Sequence, residues 1–321
     1  MKRLLISMLT LSLVLTFSTF ASAADVKGKK VLFIDSYHEG YEWSDGITNG
    51  AKQVLDGKGI DLKIVRMDTK RNPDEEFKKQ AGEKAKAAID EYKPDIVIAA
   101  DDNASKYVIV QYFKDSSLPF VFCGINWDAS IYGFPWKNVT GMVEVSPIPQ
   151  LIEQLKPFAK GSRIGFLGPD NETARKEAEA YKKVFGMQLV EHFAKDYDDW
   201  KKGFEALQDS ADMLLIESDG GLYKDKSADM KAFAEASTKI PSGTAYDFMA
   251  PVALIGFAKI AEEQGAWAAD AALKILGGAE PSSIPIAKNK EGKLIINARI
   301  AKSLNADMSY ELIQSAAQVI E

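Results

Sequence analysis

A chain of 321 residues, 46% hydrophobic and 27% charged, has room for two cores and the make-up of a soluble globular protein. Forty basic residues against 46 acidic ones give a net charge of −6, and the absence of a basic stripe argues against a nucleic-acid partner. One cysteine, Cys123, excludes an intramolecular disulfide, and with only His38 and His192 it leaves no His/Cys set for zinc.

Residues 1–23 stand apart. Lys2 and Arg3 precede an apolar run over 4–20, broken only by Ser and Thr, and Ala21-Ser22-Ala23 closes it. This reads as a cleaved secretory signal, too short for a comfortable membrane span. No cysteine follows that could carry a lipid. Loss of Lys2 and Arg3 leaves 38 basic and 46 acidic residues, a net charge of −8. An exported, periplasmic protein is expected.

Strand and helix patterns then alternate. Residues 31–34 form a first strand, 44–55 a helix with Ile47, Ala51, Val54 and Leu55 inward, and 62–65 a second strand. A long helix over 74–92 ends before Pro94, and 96–99 is a third strand. Asn103 is placed to cap the helix running to residue 113, and 120–123 is a fourth strand holding Cys123 as a buried thiol. These strands lack in/out alternation, as parallel strands covered on both faces do. The stretch 141–146 reads as a crossing into a second lobe, where the pattern restarts. Its strands are 163–167, 187–193, 213–216 and 243–246, and its helices are one that follows Pro147 and Pro149 and runs to 158, then 172–184, 198–208 with Asp198 as cap, and 227–238. Helices are expected to Glu263 from Pro251, then over 266–276, 298–304 and 309–319. Extended segments are expected at 284–287 and 294–297.

The densest recognition chemistry lies in residues 35–45, Asp-Ser-Tyr-His-Glu-Gly-Tyr-Glu-Trp-Ser-Asp. It sits between an apolar strand and a helix start, where open α/β sheets place ligands. No Gly-x-Ser-x-Gly, phosphate-cradling loop or metal motif is present, so no enzyme, cofactor or metal is expected.

The C-terminal third resembles a known family. Residues 268–277 read Ala-Ala-Asp-Ala-Ala-Leu-Lys-Ile-Leu-Gly, followed by Ala279-Glu280-Pro281-Ser282-Ser283-Ile284-Pro285-Ile286, Ile296-Asn297, Ala301-Lys302-Ser303-Leu304 and Ala316-Ala317. With Asn138-Val139-Thr140-Gly141, Lys156-Pro157 and Arg163-Ile164-Gly165, this is similar to ABC-transporter substrate-binding proteins of the type I periplasmic-binding-protein fold, in the branch that includes aromatic amino-acid binders. The resemblance implies an α/β protein of two Rossmann-like lobes, with parallel sheets flanked by helices and a three-segment hinge. Lobe 1 would hold 24–143 and 248–290, and lobe 2 would hold 144–247 and 291–321. Further crossings would fall at Tyr246-Asp247 and 294–297. An ABC permease is the implied partner and a monomer the implied state.

In such a fold the ligand meets Ser36, Tyr37, His38, Tyr41, Trp43, Asp101, Asp102, Asn103, Asn126 and Trp127 from the first lobe. Asp170, Asn171, Glu217, Asp219, Tyr246 and Asp247 would face them, with Glu144 near the hinge. Tyr37, Tyr41, Trp43 and Trp127 offer ring faces. Ser36 and Asn103 either donate to a ligand oxygen or cap helices. Part of the carboxylate set would hold an ammonium group or sugar hydroxyls. His38 is a donor or a loop packer. An amino acid or related amine leads as ligand. A sugar or nucleoside remains open, and so does a sensor role, because the first loop is similar to loops in binding-protein-type sensor domains of membrane kinases.

Overall fold

The computed structural model describes residues 26–219 and 224–321. The expected signal segment and Gly220-Gly221 lie outside them. The chain runs β1 (Lys30–Asp35), α1 (Glu42–Leu55), β2 (Asp61–Arg66), α2 (Glu75–Tyr92), β3 (Ile96–Ala100), α3 (Asp101–Ala104, continuing as a π-helical segment Ser105–Val110), β4 (Phe120–Asn126) and β5 (Val139–Glu144). After the first crossing come α4 (Ile148–Leu155), β6 (Ile164–Pro169), α5 (Glu172–Phe185), β7 (Leu189–Ala194), α6 (Tyr197–Ser210), β8 (Met213–Ile216), α7 (Ser227–Ser237), β9 (Ser242–Thr244) and β10 (Ile255–Lys259). The remainder is α8 (Ala261–Leu276), β11 (Ala287–Lys288), β12 (Gly292–Asn297), α9 (Ala298–Ser303), α10 (Tyr310–Ser315) and β13 (Gln318–Ile320).

Two sheets result, in the orders β11-β5-β4-β3-β1-β2 and β13-β12-β10-β9-β8-β6-β7. All pairings between these strands are parallel except β10 with β12. The unbroken apolar strands of the first lobe serve two cores. Val31, Phe33, Ile96, Ile98 and Val121 face α1 and α8, while Leu32, Ile34, Val97, Ala99 and Phe122 pack toward α2 and the π-helical turn. The second lobe is built around Trp200, Phe204 and Phe233, with ring centroids 5.3 to 6.3 Å apart.

Caps fix several helix starts. Asp74 accepts from the amides of Glu76 and Phe77, and Asp196, two residues earlier than the expected Asp198, caps α6 by accepting from Asp199 N. Helices α1 and α8 lie so close that a Cβ added at Gly265 would come within 1.8 Å of the Ile47 carbonyl oxygen. Gly265→Ala should therefore push the helices apart and lower stability by about 1–3 kcal/mol, read as the urea midpoint. An unchanged midpoint would refute that close packing.

Four expectations need correction. Residues 255–259 were expected to be helical but form β10, because the run Ile255-Gly256-Phe257-Ala258 is enclosed between β9 and β12. The second crossing consequently falls at Lys259–Ala261, not at Tyr246-Asp247, whose following 3-10 turn Asp247–Val252 packs in the second lobe. The third crossing lies between β11 and β12, and residues 294–297 are inside the second sheet. The final helix stops at Ser315, and β13 takes the edge of that sheet.

The three crossings are tied to one another. Val145 N donates to Asn289 Oδ1 at 2.7 Å, joining the first and third. Glu263 accepts from Lys290 N at 3.0 Å and Glu291 N at 2.9 Å, joining the second and third. Lys259 pairs with Glu144, joining the second and first.

Candidate functional site

The first wall begins at Asp35, the last residue of β1. Its buried carboxylate accepts from Tyr37 N at 2.9 Å and Ser44 Oγ at 2.8 Å, and pairs with Arg66. That anchors both ends of the loop over 36–43. Ser36 is fully buried: its hydroxyl donates to Ala100 O and accepts from Ala104 N at 2.8 Å, so it caps α3 from outside the helix and does not face the cleft. Tyr37 and Tyr41 meet edge to face at 5.5 Å, His38 leans on Tyr41 at 5.9 Å, and Lys70 lies over both tyrosine rings at 5.2 and 4.9 Å. His38 Nδ1 lies 2.9 Å from Glu39 O, a contact within the loop.

Trp43, in the first turn of α1, donates its indole N–H to Asp101 Oδ1 at 3.1 Å. Asp101 has φ +69° and is 2% exposed, and its Oδ2 has no partner. Burial holds this carboxyl well above the usual range, with Glu144 adding repulsion. Gly124, at φ +73°, leaves room for it: a Cβ there would sit 2.8 Å from Asp101 Oδ1. Asp102 accepts from Asn126 Nδ2 at 2.7 Å and Tyr132 Oη at 2.8 Å. Asn103 is inside α3, whose N-cap position is Ala100, and donates to Thr69 Oγ1 at 2.8 Å. It is a strut of the first lobe and not the expected cap.

Trp127, at φ +60°, reaches across to the second lobe. Its indole donates to Glu177 Oε1 at 2.9 Å, and its ring meets Tyr181 and Phe185 at 5.7 and 6.0 Å. Glu177, Tyr181 and Phe185 recur at i, i+4 and i+8 on one face of α5. Tyr181 donates to Glu217 Oε2 at 3.1 Å. Burial pushes the Glu217 carboxyl up to about 7; the neighbouring Tyr246 hydroxyl works against this, and Glu177 adds to it. Glu217 Oε1 has no hydrogen-bond partner.

Glu144 ends β5 and Lys259 ends β10, so their ion pair spans the lobes at the hinge. The Lys259 ammonium also lies 5.4 Å over the Trp43 ring. Burial disfavours its charge, but Glu144 outweighs that and keeps its pKa above the ordinary lysine value, with Glu177 and Glu217 contributing. Beside this pair a cavity of about 520 Å³ is lined by Tyr41, Trp43, Tyr246, Asp247, Lys259 and Lys293. A larger depression of about 860 Å³, around Asn49, Gln53 and Asp56 on the outer side of the first lobe, lacks these carboxylates.

Tyr37 thus lies in electrostatic reach of Asp101, Asp102 and Glu144, and Tyr246 of Glu217, Glu177 and Glu144, while Trp43 and Tyr246 line the cavity beside Lys259. Asp247 is at its exposed rim and Asp219 on the loop after β8. Asp170 pairs with Arg175 at 2.6 Å, and Asn171 caps α5 through Ala174 N at 2.9 Å. Glu177, Tyr181 and Lys259 were not anticipated. The i, i+4 spacing of Glu177 and Tyr181 was the available signal for two of them; Lys259 was hidden by the helical reading of its strand. Among the described residues no cluster of His, Cys, Asp and Glu could hold a metal ion.

Two parallel-sheet lobes, three linked crossings and a charged, ring-lined cleft between them define a type I periplasmic-binding-protein architecture. The family model described as ABC transporter substrate binding protein matches residues 39–320, and the chain belongs to that family. It is accordingly the substrate-binding component of an ABC transporter and not an enzyme. Solved structures agree on the fold. A ligand-free, open substrate-binding protein with adhesive properties from Clostridium difficile is 21% identical, with TM-score 0.68 over 91% of this chain and 99% of its own. A periplasmic ribose ABC transporter protein from Conexibacter woesei is 16% identical, with TM-score 0.53 over 89% and 98%. A conserved domain protein from Vibrio cholerae is 20% identical, with TM-score 0.51 over 91% and 100%. No curated protein matches the chain.

Proposed function

We propose that the interlobe cleft binds a small solute through an ammonium group, with an amino acid or related amine as the ligand class. The observation that carries this is the convergence of Asp101, Asp102, Glu144, Glu177 and Glu217 with the rings of Tyr37, Trp43, Trp127 and Tyr246, with the half-buried Lys259 paired to Glu144 among them. Carboxylates supply charge-assisted hydrogen bonds, and ring faces attract the cation. The mature chain acts after export, as a monomer, and closure of the lobes over the ligand presents it to the membrane permease.

A thermal-shift screen of amino acids, simple amines, sugars and nucleosides tests this. A ligand at 100 times its dissociation constant adds about 2.7 kcal/mol to stability. Amino acids or amines should give the shift, and a response to sugars or nucleosides alone would overturn the reading. Trp43→Ala removes the ring face beside Lys259 and the donor to Asp101, so affinity for the ligand found should fall about tenfold or more. Unchanged affinity would remove Trp43 from the site.

A further inference from the structure

We propose that Lys259 makes this cleft selective for zwitterions, holding the carboxylate of an α-amino acid while the surrounding acids hold its ammonium group. This rests on the reading that an ammonium-bearing solute enters the interlobe cleft.

The Lys259 Nζ already occupies what an ammonium ligand would seek. It is paired with Glu144, lies 5.4 Å over the Trp43 ring, and is within electrostatic reach of Glu177 and Glu217. It also lines the 520 Å³ cavity. Lys70 and Lys293 are not equivalents: both are exposed, Lys70 standing over the Tyr37 and Tyr41 rings and acting on Glu144 through space only, Lys293 lining the same cavity from the second lobe. A second ammonium entering the cluster therefore meets a fixed positive charge at close range, where repulsion between unit charges is strong. The repulsion is relieved when an anion lies between the two cations. An α-amino acid brings that anion on the carbon next to its ammonium group.

Acceptor capacity remains for the other half of the ligand. Glu217 Oε1 and Asp101 Oδ2 are both buried without hydrogen-bond partners, on residues 4% and 2% exposed. An ammonium group has three donors and can serve such acceptors. A plain carboxylic acid would satisfy Lys259 but add negative charge to an acidic cluster and leave those oxygens unserved. A plain amine would serve the oxygens but face Lys259 directly. The zwitterion is the class that answers both charges.

The test compares L-tryptophan with tryptamine and L-phenylalanine with phenethylamine by titration calorimetry. The purified chain should prefer each amino acid over its amine by about tenfold or more, equivalent to about 1.4 kcal/mol. Lys259→Met should abolish or invert that preference, and Lys259→Arg should keep it. Because Lys259→Met leaves Glu144 buried alone, the Lys259→Met/Glu144→Gln double variant is measured too. It removes both charges, and it should fold and also lack the preference. An amino-acid preference that persists in either Met variant overturns the proposal. So does a parent protein that binds the amines as well as or better than the amino acids, which leaves the ammonium reading standing. If the parent binds neither and only sugars or nucleosides bind, the ammonium reading fails, and this proposal fails with it.

Discussion

Glu144→Ala should cost about 3 kcal/mol of stability, the low end of what removing one partner of a buried ion pair costs. The reasoning is positional. Glu144 is 6% exposed at the end of β5, and its carboxylate is the direct partner of the Lys259 ammonium. Truncation leaves that ammonium in a desolvated setting with Trp43 below it and only the more distant Glu177 and Glu217 to answer it. The same change cuts one of three ties between the crossings, leaving Asn289 on Val145 and Glu263 on Lys290 and Glu291. Stranding of a charge and loss of a tie are separable. Removing Lys259 as well eliminates the stranded charge, so Glu144→Ala/Lys259→Met should recover most of the stability while the tie stays broken. Urea unfolding at pH 7 of the parent, both single variants and the double gives the coupling directly. If the double variant is as unstable as the sum of the singles, the pair is not coupled across the hinge, and the account of the crossings is wrong.

The parts of the fold written in local pattern were readable from the chain. Apolar runs such as 31–34 and 96–99, each followed by a loop and a helix pattern, read as covered parallel strands, and both lie inside the first sheet. The loop over 36–43 was identifiable because its rings and carboxylates have no use in a core. Within it, pattern could not separate wall from scaffold. Ser36 and Trp43 both carry a donor near a helix start, but tertiary contacts turn Ser36 inward to α3 and Trp43 toward Asp101. Asp170, Asn171 and Asn103 are likewise engaged by partners in their own lobe. Residues 251–263 were misread because a short apolar run does not distinguish a buried helix from a buried strand, and neighbours decide it. That single error moved the second crossing by about twelve residues and hid Lys259, the cation on which the cleft turns. Glu177 was hidden for a different reason: its role exists only when Trp127 arrives from the other lobe.

The second large effect expected is a pH dependence centred on Glu217. Its carboxyl is raised from 4.5 to about 7 in the folded chain, first by burial. In the unfolded chain it titrates as an ordinary glutamate. Between pH about 4.5 and about 7 the folded state therefore keeps a proton that the unfolded state releases. Stability falls as pH rises through that window, by about 3 kcal/mol in all, and this group adds no further slope above it. Asp101, also raised by burial, acts in the same direction. Glu217→Gln keeps the neutral shape at every pH and can still accept from Tyr181. The variant should match the parent near pH 4.5 and be more stable than it by up to about 3 kcal/mol at pH 8, in urea titrations across that range. A difference that stays constant with pH would exclude Glu217 as the titrating group. The same ionisation bears on binding: a ligand ammonium beside Glu217 favours the charged carboxylate, so binding near pH 7 should release a proton. Calorimetry in buffers of different ionisation enthalpy should detect that proton for the parent and lose it for Glu217→Gln. Equal proton release from both would place the linkage on another carboxylate of the cluster.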